Sequence, residues 1–301
     1  MLLDAATARL DRLGGVHGTD DDPSWAPIIE AMVGTGATRV AVVGLEPVTA
    51  RTSSGRFLCE HVTFSSVGSV SQLAALANRR RPAVARNAAF VVDPCGDGTS
   101  GPAAAAVLRR TFYPRAIGLG RGDEWAYGRG TPDDVLAQLP GPGRPGASML
   151  YLDCRLRPAG EPALELEGYG GPAPLEASRI APREHGDNAD GGLVVFSSAS
   201  GTSYEGWGCI ADAMVAAGAS GVIGWRWPIA APIAALMDYV LHTELVSRRR
   251  PPADAVAEVR RWMLDPARRI PAGLPWHYVA RAGNTDLTDP RFWGALCYRG
   301  Q

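Results

Sequence analysis

Ala88-Ala-Phe-Val-Val-Asp93 is followed by Pro94-Cys-Gly-Asp97, a helix-like stretch from Gly101 to Thr111, and a second apolar run, Ala116-Ile-Gly-Leu-Gly120. Runs this continuous in apolar residues suit strands buried on both faces, and a helix between two of them is the crossover that a parallel pair requires. The pattern extends outward in both directions. Arg39-Val-Ala-Val-Val-Gly44 precedes it, and Ser148-Met-Leu-Tyr-Leu-Asp-Cys154, Leu193-Val-Val-Phe-Ser197 and Gly221-Val-Ile-Gly-Trp225 follow. Helix-like stretches lie between them at Ser69 to Arg80, Pro132 to Leu139, Leu175 to Ile180 and Tyr204 to Ala217, with Trp25 to Met32 ahead of the first strand. The expected fold is an α/β open, mostly parallel sheet with helices on both faces.

Composition narrows the function classes. Of 301 residues, 46% are hydrophobic and the formal net charge is -1, so neither nucleic acid nor anionic lipid is the expected partner. The runs Arg79-Arg80-Arg81 and Arg248-Arg249-Arg250 read as solvated helix ends. Lysine is absent and all 30 basic residues are arginine, which excludes a Schiff-base lysine, a pyridoxal phosphate anchor and a Walker lysine. Five scattered cysteines (Cys59, Cys95, Cys154, Cys209, Cys297) form no C-x-x-C pair; they fit a reducing cytosol and no disulfide framework. Met1 to Leu13 lacks the basic head and apolar stretch of a signal peptide. Ile229 to Val246 is the longest apolar stretch, but Asp238, His242 and Glu244 interrupt it, so no membrane span is expected.

In open parallel sheets ligands sit beyond the carboxyl ends of the strands. Those positions here are Asp93-Pro-Cys-Gly-Asp97, Asp153-Cys-Arg155, Ser198-Ala-Ser-Gly201 and Arg226-Trp-Pro228. Gly141-Pro-Gly-Arg-Pro-Gly146 spells G-x-G-x-x-G, but it precedes a strand and its prolines lack amide donors, so it is not read as a nucleotide site. His17, His61, His185, His242 and His277 show no three- or four-residue spacing, so no metal is expected, nor any other cofactor. His185 is the one histidine whose loop leads toward a strand end. The serines at 197, 198 and 200 stand at a strand-to-helix junction without G-x-S-x-G; a turn capping the next helix accounts for them. Cys154 ends a strand at the same edge, where packing competes with reactivity. Arg226 is placed to present a guanidinium to that edge, beside Trp227.

Taken in order, these pieces resemble the CHAT domain, a caspase-like family related to separases, metacaspases and gingipains. Val42-Val-Gly-Leu-Glu-Pro-Val-Thr-Ala50 with Gly55-Arg-Phe57 resembles the family's opening strand and return, and Val91-Val-Asp-Pro94 its strand and Asp-Pro turn. Ala213-Met-Val-Ala-Ala-Gly-Ala219 and Gly221-Val-Ile-Gly-Trp-Arg-Trp-Pro228 resemble its Ala-Phe-Leu-x-Ala-Gly-Ala and Val-x-Gly-x-x-Trp-x-Val stretch. Arg261 to Arg268 and Asp289 to Gly300 resemble its closing helix and final strand. The resemblance implies a single caspase-like domain over residues 1–301, with 1–36 as a helical lead-in.

Active relatives carry His-x-x-Cys-His-Gly, whose second histidine is the base, and Leu-Ser-Ala-Cys, whose cysteine is the nucleophile. The resemblance sets Tyr151-Leu-Asp-Cys-Arg-Leu156 on the first and Phe196-Ser-Ser-Ala199 on the second. The base then becomes Arg155, the following glycine Leu156, and the nucleophile Ala199. Alanine offers no nucleophile, and arginine keeps its proton at any working pH; in a protease such a double loss costs about a million-fold in turnover.

Three readings follow. The first is a pseudoprotease in a cytoplasmic setting that binds a peptide or protein partner on a separate chain, with Arg155, Ser198, Ser200, Arg226 and Trp227 as ligand contacts and an acidic residue or carboxylate terminus as the ligand class. The second is a repurposed enzyme acting on a small molecule or peptide in the ancestral cleft through Cys154, Asp153, Arg155, Ser198 or Ser200. A protease rebuilt from Ser198 or Ser200 with His185 is the third.

Overall fold

The fold is seen in a computed structural model, which describes residues 25–44, 46–80, 82–96, 102–125, 127–141, 144–157, 161–180, 191–197, 204–283 and 285–301. Helix α1 (Trp25–Gly34) leads into strand β1 (Arg39–Val43), and a short helix α2 (Leu58–His61) into β2 (Thr63–Val67). The chain continues through α3 (Val70–Ala77), β3 (Ala88–Val92), α4 (Pro102–Phe112), β4 (Ile117–Gly120), α5 (Pro132–Gln138) and β5 (Met149–Asp153). A small excursion of β6 (Leu156–Arg157), β7 (Ala163–Gly168), β8 (Gly171–Glu176) and α6 (Ala177–Ile180) precedes β9 (Leu193–Phe196), α7 (Tyr204–Ala216) and β10 (Gly221–Trp225). Helix α8 (Ala231–His242) widens into a π-type turn at Thr243–Ser247, then come α9 (Pro252–Leu264), α10 (Trp276–Gly283), α11 (Pro290–Trp293) and β11 (Leu296–Gly300).

Eight strands form one sheet in the order β1-β2-β11-β10-β9-β5-β3-β4. β10, β9, β5, β3 and β4 are mutually parallel, as are β1 and β2, and β11 runs antiparallel to β10. The expected mostly parallel sheet is therefore present, and its side chains divide by the period of two that a pleat imposes. Phe90, Val92, Met149, Tyr151, Val195, Ile223 and Trp225 join one core with α4, α8 and α9. Ala89, Val91, Leu150, Leu152, Val194, Phe196 and Val222 join the other with α3, α5, α7 and the small sheet. Each fully buried Trp or Phe stabilises by about 1.5–3 kcal/mol. Gly224 lets the sheet and α7 come together, because a Cβ there would meet the Trp207 indole nitrogen at 1.8 Å.

Two expectations are corrected. Leu175 to Ile180 is not one helix: Leu175 and Glu176 close β8, and only Ala177–Ile180 is helical. Strand β8 carries Pro172 and Pro174, which are tolerated because it is the edge of the β6-β7-β8 sheet and need not donate outward. Nor is Arg79 a solvated helix end. Its Nη1 donates to the carbonyls of Val215 and Ala219, each at 2.6 Å, joining the segment after α3 to the last turn of α7 and the residues just past it. Among the described residues no helix is long and apolar enough to cross a membrane.

Candidate functional site at the carboxyl ends of the strands

β5 and β9 are neighbours in parallel register, with Tyr151 opposite Val195 and Leu152 opposite Phe196. On the other side Val92 pairs with Asp153, whose carbonyl accepts from Asp93 N at 2.9 Å. The carboxyl ends of β3, β5 and β9 thus form one level edge. Residues 153–156 leave it abruptly: Glu165 N donates to the Arg155 carbonyl at 2.9 Å, and Leu156 pairs with Leu164 in the small sheet. This turn gives consecutive residues opposite environments. Asp153 and Cys154 are buried, Arg155 is exposed, and Leu156 is buried again under β7.

Cys154 belongs to the core. Burial pushes its thiol well above the ordinary range, the neighbouring Asp153 adding to the effect, so it is a protonated packing group and not a nucleophile at neutral pH. The expected placement of Arg226 is also corrected. Its side chain does not face the edge; it is buried, with Nη2 donating to the Glu46 carbonyl at 2.8 Å. Arg260 lies beside it, donating to Glu46 Oε2 at 2.7 Å and to the Leu296 carbonyl at 2.6 Å, while Tyr298 N donates to Glu46 Oε1 at 3.3 Å. A fully buried glutamate therefore ties together the loop after β1, the end of β10 and helix α9. Trp227 is half-buried and its indole N–H donates to the Arg291 carbonyl at 2.7 Å, which holds it on α11. His185, Ser198, Ala199 and Ser200 lie outside the described residues.

Under this edge lies a group of buried polar side chains on the α8 face of the sheet. Tyr151 donates to Asp238 Oδ2 at 3.4 Å, and Ser197 at the end of β9 also hydrogen-bonds Tyr151. Burial holds the Asp238 carboxyl well above the usual carboxylate range, and Asp153 raises it further; a carboxylic acid kept neutral is the result. One helical turn along α8, His242 Nδ1 pairs with the Tyr113 hydroxyl at 2.7 Å, and burial pulls the imidazole down to about 3. Residue-type spacing had passed over this group, although the signal was present: Asp238 and His242 interrupt the Ile229 to Val246 apolar stretch four residues apart, on one face of a helix. Arg155 contributes the exposed charge of the edge, and Asp238 and His242 a neutral polar underlayer.

The CHAT domain family model matches residues 39–301. Among solved structures, gingipain R, an Arg-specific cysteine proteinase, is 11% identical, with 92% of this chain and 67% of that one covered at a TM-score of 0.52. The complex of Porphyromonas gingivalis RgpB pro- and mature domains gives 10% identity, 92% and 68% coverage and the same TM-score. Saccharomyces cerevisiae separase in its complex with securin is 11% identical with a TM-score of 0.42, and this chain covers only 14% of its length. No curated protein sequence matches the chain. The gingipain likeness, over 92% of this chain, shows a caspase-like fold for this mostly parallel eight-stranded sheet and its helices. With the family model matching all but the first 38 residues, the chain belongs to the CHAT domain family.

Proposed function

We propose that this CHAT domain is a pseudoprotease whose cleft binds a peptide or protein partner, with Arg155 engaging an acidic side chain or a carboxylate terminus. The observation that carries the reading is Arg155 itself, exposed at the end of β5 where the resemblance expects a proton-accepting histidine. A guanidinium there cannot take a proton from a nucleophile, but it matches a carboxylate bidentately. The Ala199 of the sequence removes the partner nucleophile, and the buried Cys154 thiol offers no replacement. The reading of a repurposed enzyme through Cys154 is weakened for the same reason. That the RgpB mature domain forms a complex with its prodomain is consistent with a surface that receives polypeptide.

The experiment is incubation of the purified chain with a proteome-derived peptide library, with retained peptides and new termini both read by mass spectrometry. Retention enriched in acidic residues or in a particular carboxyl terminus, weakened about tenfold or more by Arg155→Ala and without new termini, is the expected result. Cleavage that Ser200→Ala or Cys154→Ala abolishes would overturn the proposal.

A further inference from the structure

The opposite edge of the sheet, at the amino ends of β9 and β10, opens into a cleft of about 570 Å³. Its walls include Val84, Leu193, Leu245 and Val246, with Ser220, Arg249 and Arg250 supplying polar groups. Leu193, Ser220 and Leu245 are buried. The volume falls within the range of small-molecule sites, and the lining has their usual character of apolar walls with few polar groups.

The three arginines at 248–250 are used differently. Arg248 Nη1 reaches Glu244 Oε1 at 3.1 Å, and Arg250 Nε reaches Glu244 Oε2 at 2.8 Å, so one carboxylate engages both. Arg250 also lies 3.8 Å from Glu258. Among the described residues no side chain pairs with Arg249. Its backbone explains the difference: φ is 54°, the left-handed conformation, while Arg248 N and Arg250 N bond back to the carbonyls of Thr243 and Glu244. This is the cap position after a helix that glycine ordinarily fills. Arg249 holds this conformation against the backbone preference of the site, and it lines the cleft.

We infer that this cleft binds a small apolar monocarboxylate, its carboxylate paired with Arg249 and its hydrocarbon body against Val84, Leu193, Leu245 and Val246. Arg250 is held by Glu244, and the Arg249 guanidinium, which pairs with no side chain among the described residues, balances one negative charge with planar donors that fit a carboxylate. The site is independent of the cleft at Arg155, from which the whole length of the strands separates it.

The test is calorimetric titration of the full chain with octanoate, octanol and octylammonium at one ionic strength. Octanoate is expected to bind at submillimolar to millimolar concentration, about tenfold or more tighter than octanol, with octylammonium silent. Arg249→Gln removes the octanoate preference and leaves octanol unchanged. Arg249→Gly, which suits the left-handed backbone, raises the melting temperature while also losing the preference, so loss of binding is separable from loss of fold. Octanoate that binds Arg249→Gln as well as the parent, or fails to bind the parent at millimolar concentration, overturns the inference.

Discussion

Leu152 on β5 faces Phe196 on β9 across a parallel register. Three residues on from each, the sequence has Arg155 and Ala199, so the two positions assigned to base and nucleophile follow adjacent strands from the same level. Ala199→Cys alone is therefore expected to give only trace peptide cleavage, because Arg155 accepts no proton. Adding Arg155→His is expected to raise cleavage by about a hundredfold or more over the single variant, the usual contribution of a general base. Mass spectrometry of a peptide library measures both, and equal inactivity would show that the two ends do not converge as a catalytic pair.

The cysteines should separate by reactivity. Cys209 is exposed and Cys95 half-buried, whereas Cys59, Cys154 and Cys297 are buried. Burial also pushes the Cys59 and Cys297 thiols up to about 12. Alkylation of the native chain at neutral pH should mark Cys209 first and leave those three unmodified until denaturant is added, as read by peptide mass mapping. Rapid native labelling of Cys154 would restore it as a candidate nucleophile.

Stability should respond to pH with two opposed slopes. Asp238 is raised above its ordinary 3.8, so between that value and its folded value the folded chain holds the extra proton, and raising the pH through this window costs stability. His242 is lowered from 6.5 to about 3; here the unfolded chain holds the extra proton, and stability present above 6.5 is lost as pH falls toward 3. Asp238→Asn should flatten the loss on the alkaline side while keeping an acceptor for Tyr151. Tyr113→Phe, which removes the hydroxyl at His242, should cost about 1–3 kcal/mol. Thermal melts across pH test both.

Glu46 sits between two buried arginines. Glu46→Gln should destabilise by about 3–5 kcal/mol in urea, since two buried cations lose their counter-charge. Adding Arg260→Met should recover part of that, a coupling that a double-mutant cycle would quantify. Additive losses would mean the ion pair contributes little.

The strands read most directly from the sequence are those buried on both faces: β3, β5, β9 and β10 all stood out as apolar runs, as did β1, although only its Val40 and Val42 are buried. β2 did not, because Thr63-Phe-Ser-Ser-Val67 carries three hydroxyls inside the sheet, one of which, Ser66, donates to the Tyr298 carbonyl at 3.1 Å. β7 and β8 were obscured by prolines and by Leu175-Glu176, whose apolar-acidic pairing suits a helix start equally well. At the site, the position of Arg155 was legible, since a strand's end follows from its length. The burial of Arg226 was not: only the fold brings Glu46, far away in sequence, against it. Likewise nothing local marks Arg249 as different from Arg248 and Arg250; a single backbone angle separates them.

The place of β11 bears on how the molecule comes to exist. Residues 296–300 lie between β2 and β10, meeting β2 at Arg299 opposite Ser66 and β10 along its whole length. Strands β1 and β2 thus have no seat beside the rest of the sheet until residues 296–300 are made. Until then β2 and β10 each expose a bare row of amides and carbonyls, the surfaces most prone to wrong pairings. Completion of the sheet waits on its eleventh strand, and the contacts of longest sequence separation are the ones that set its pace.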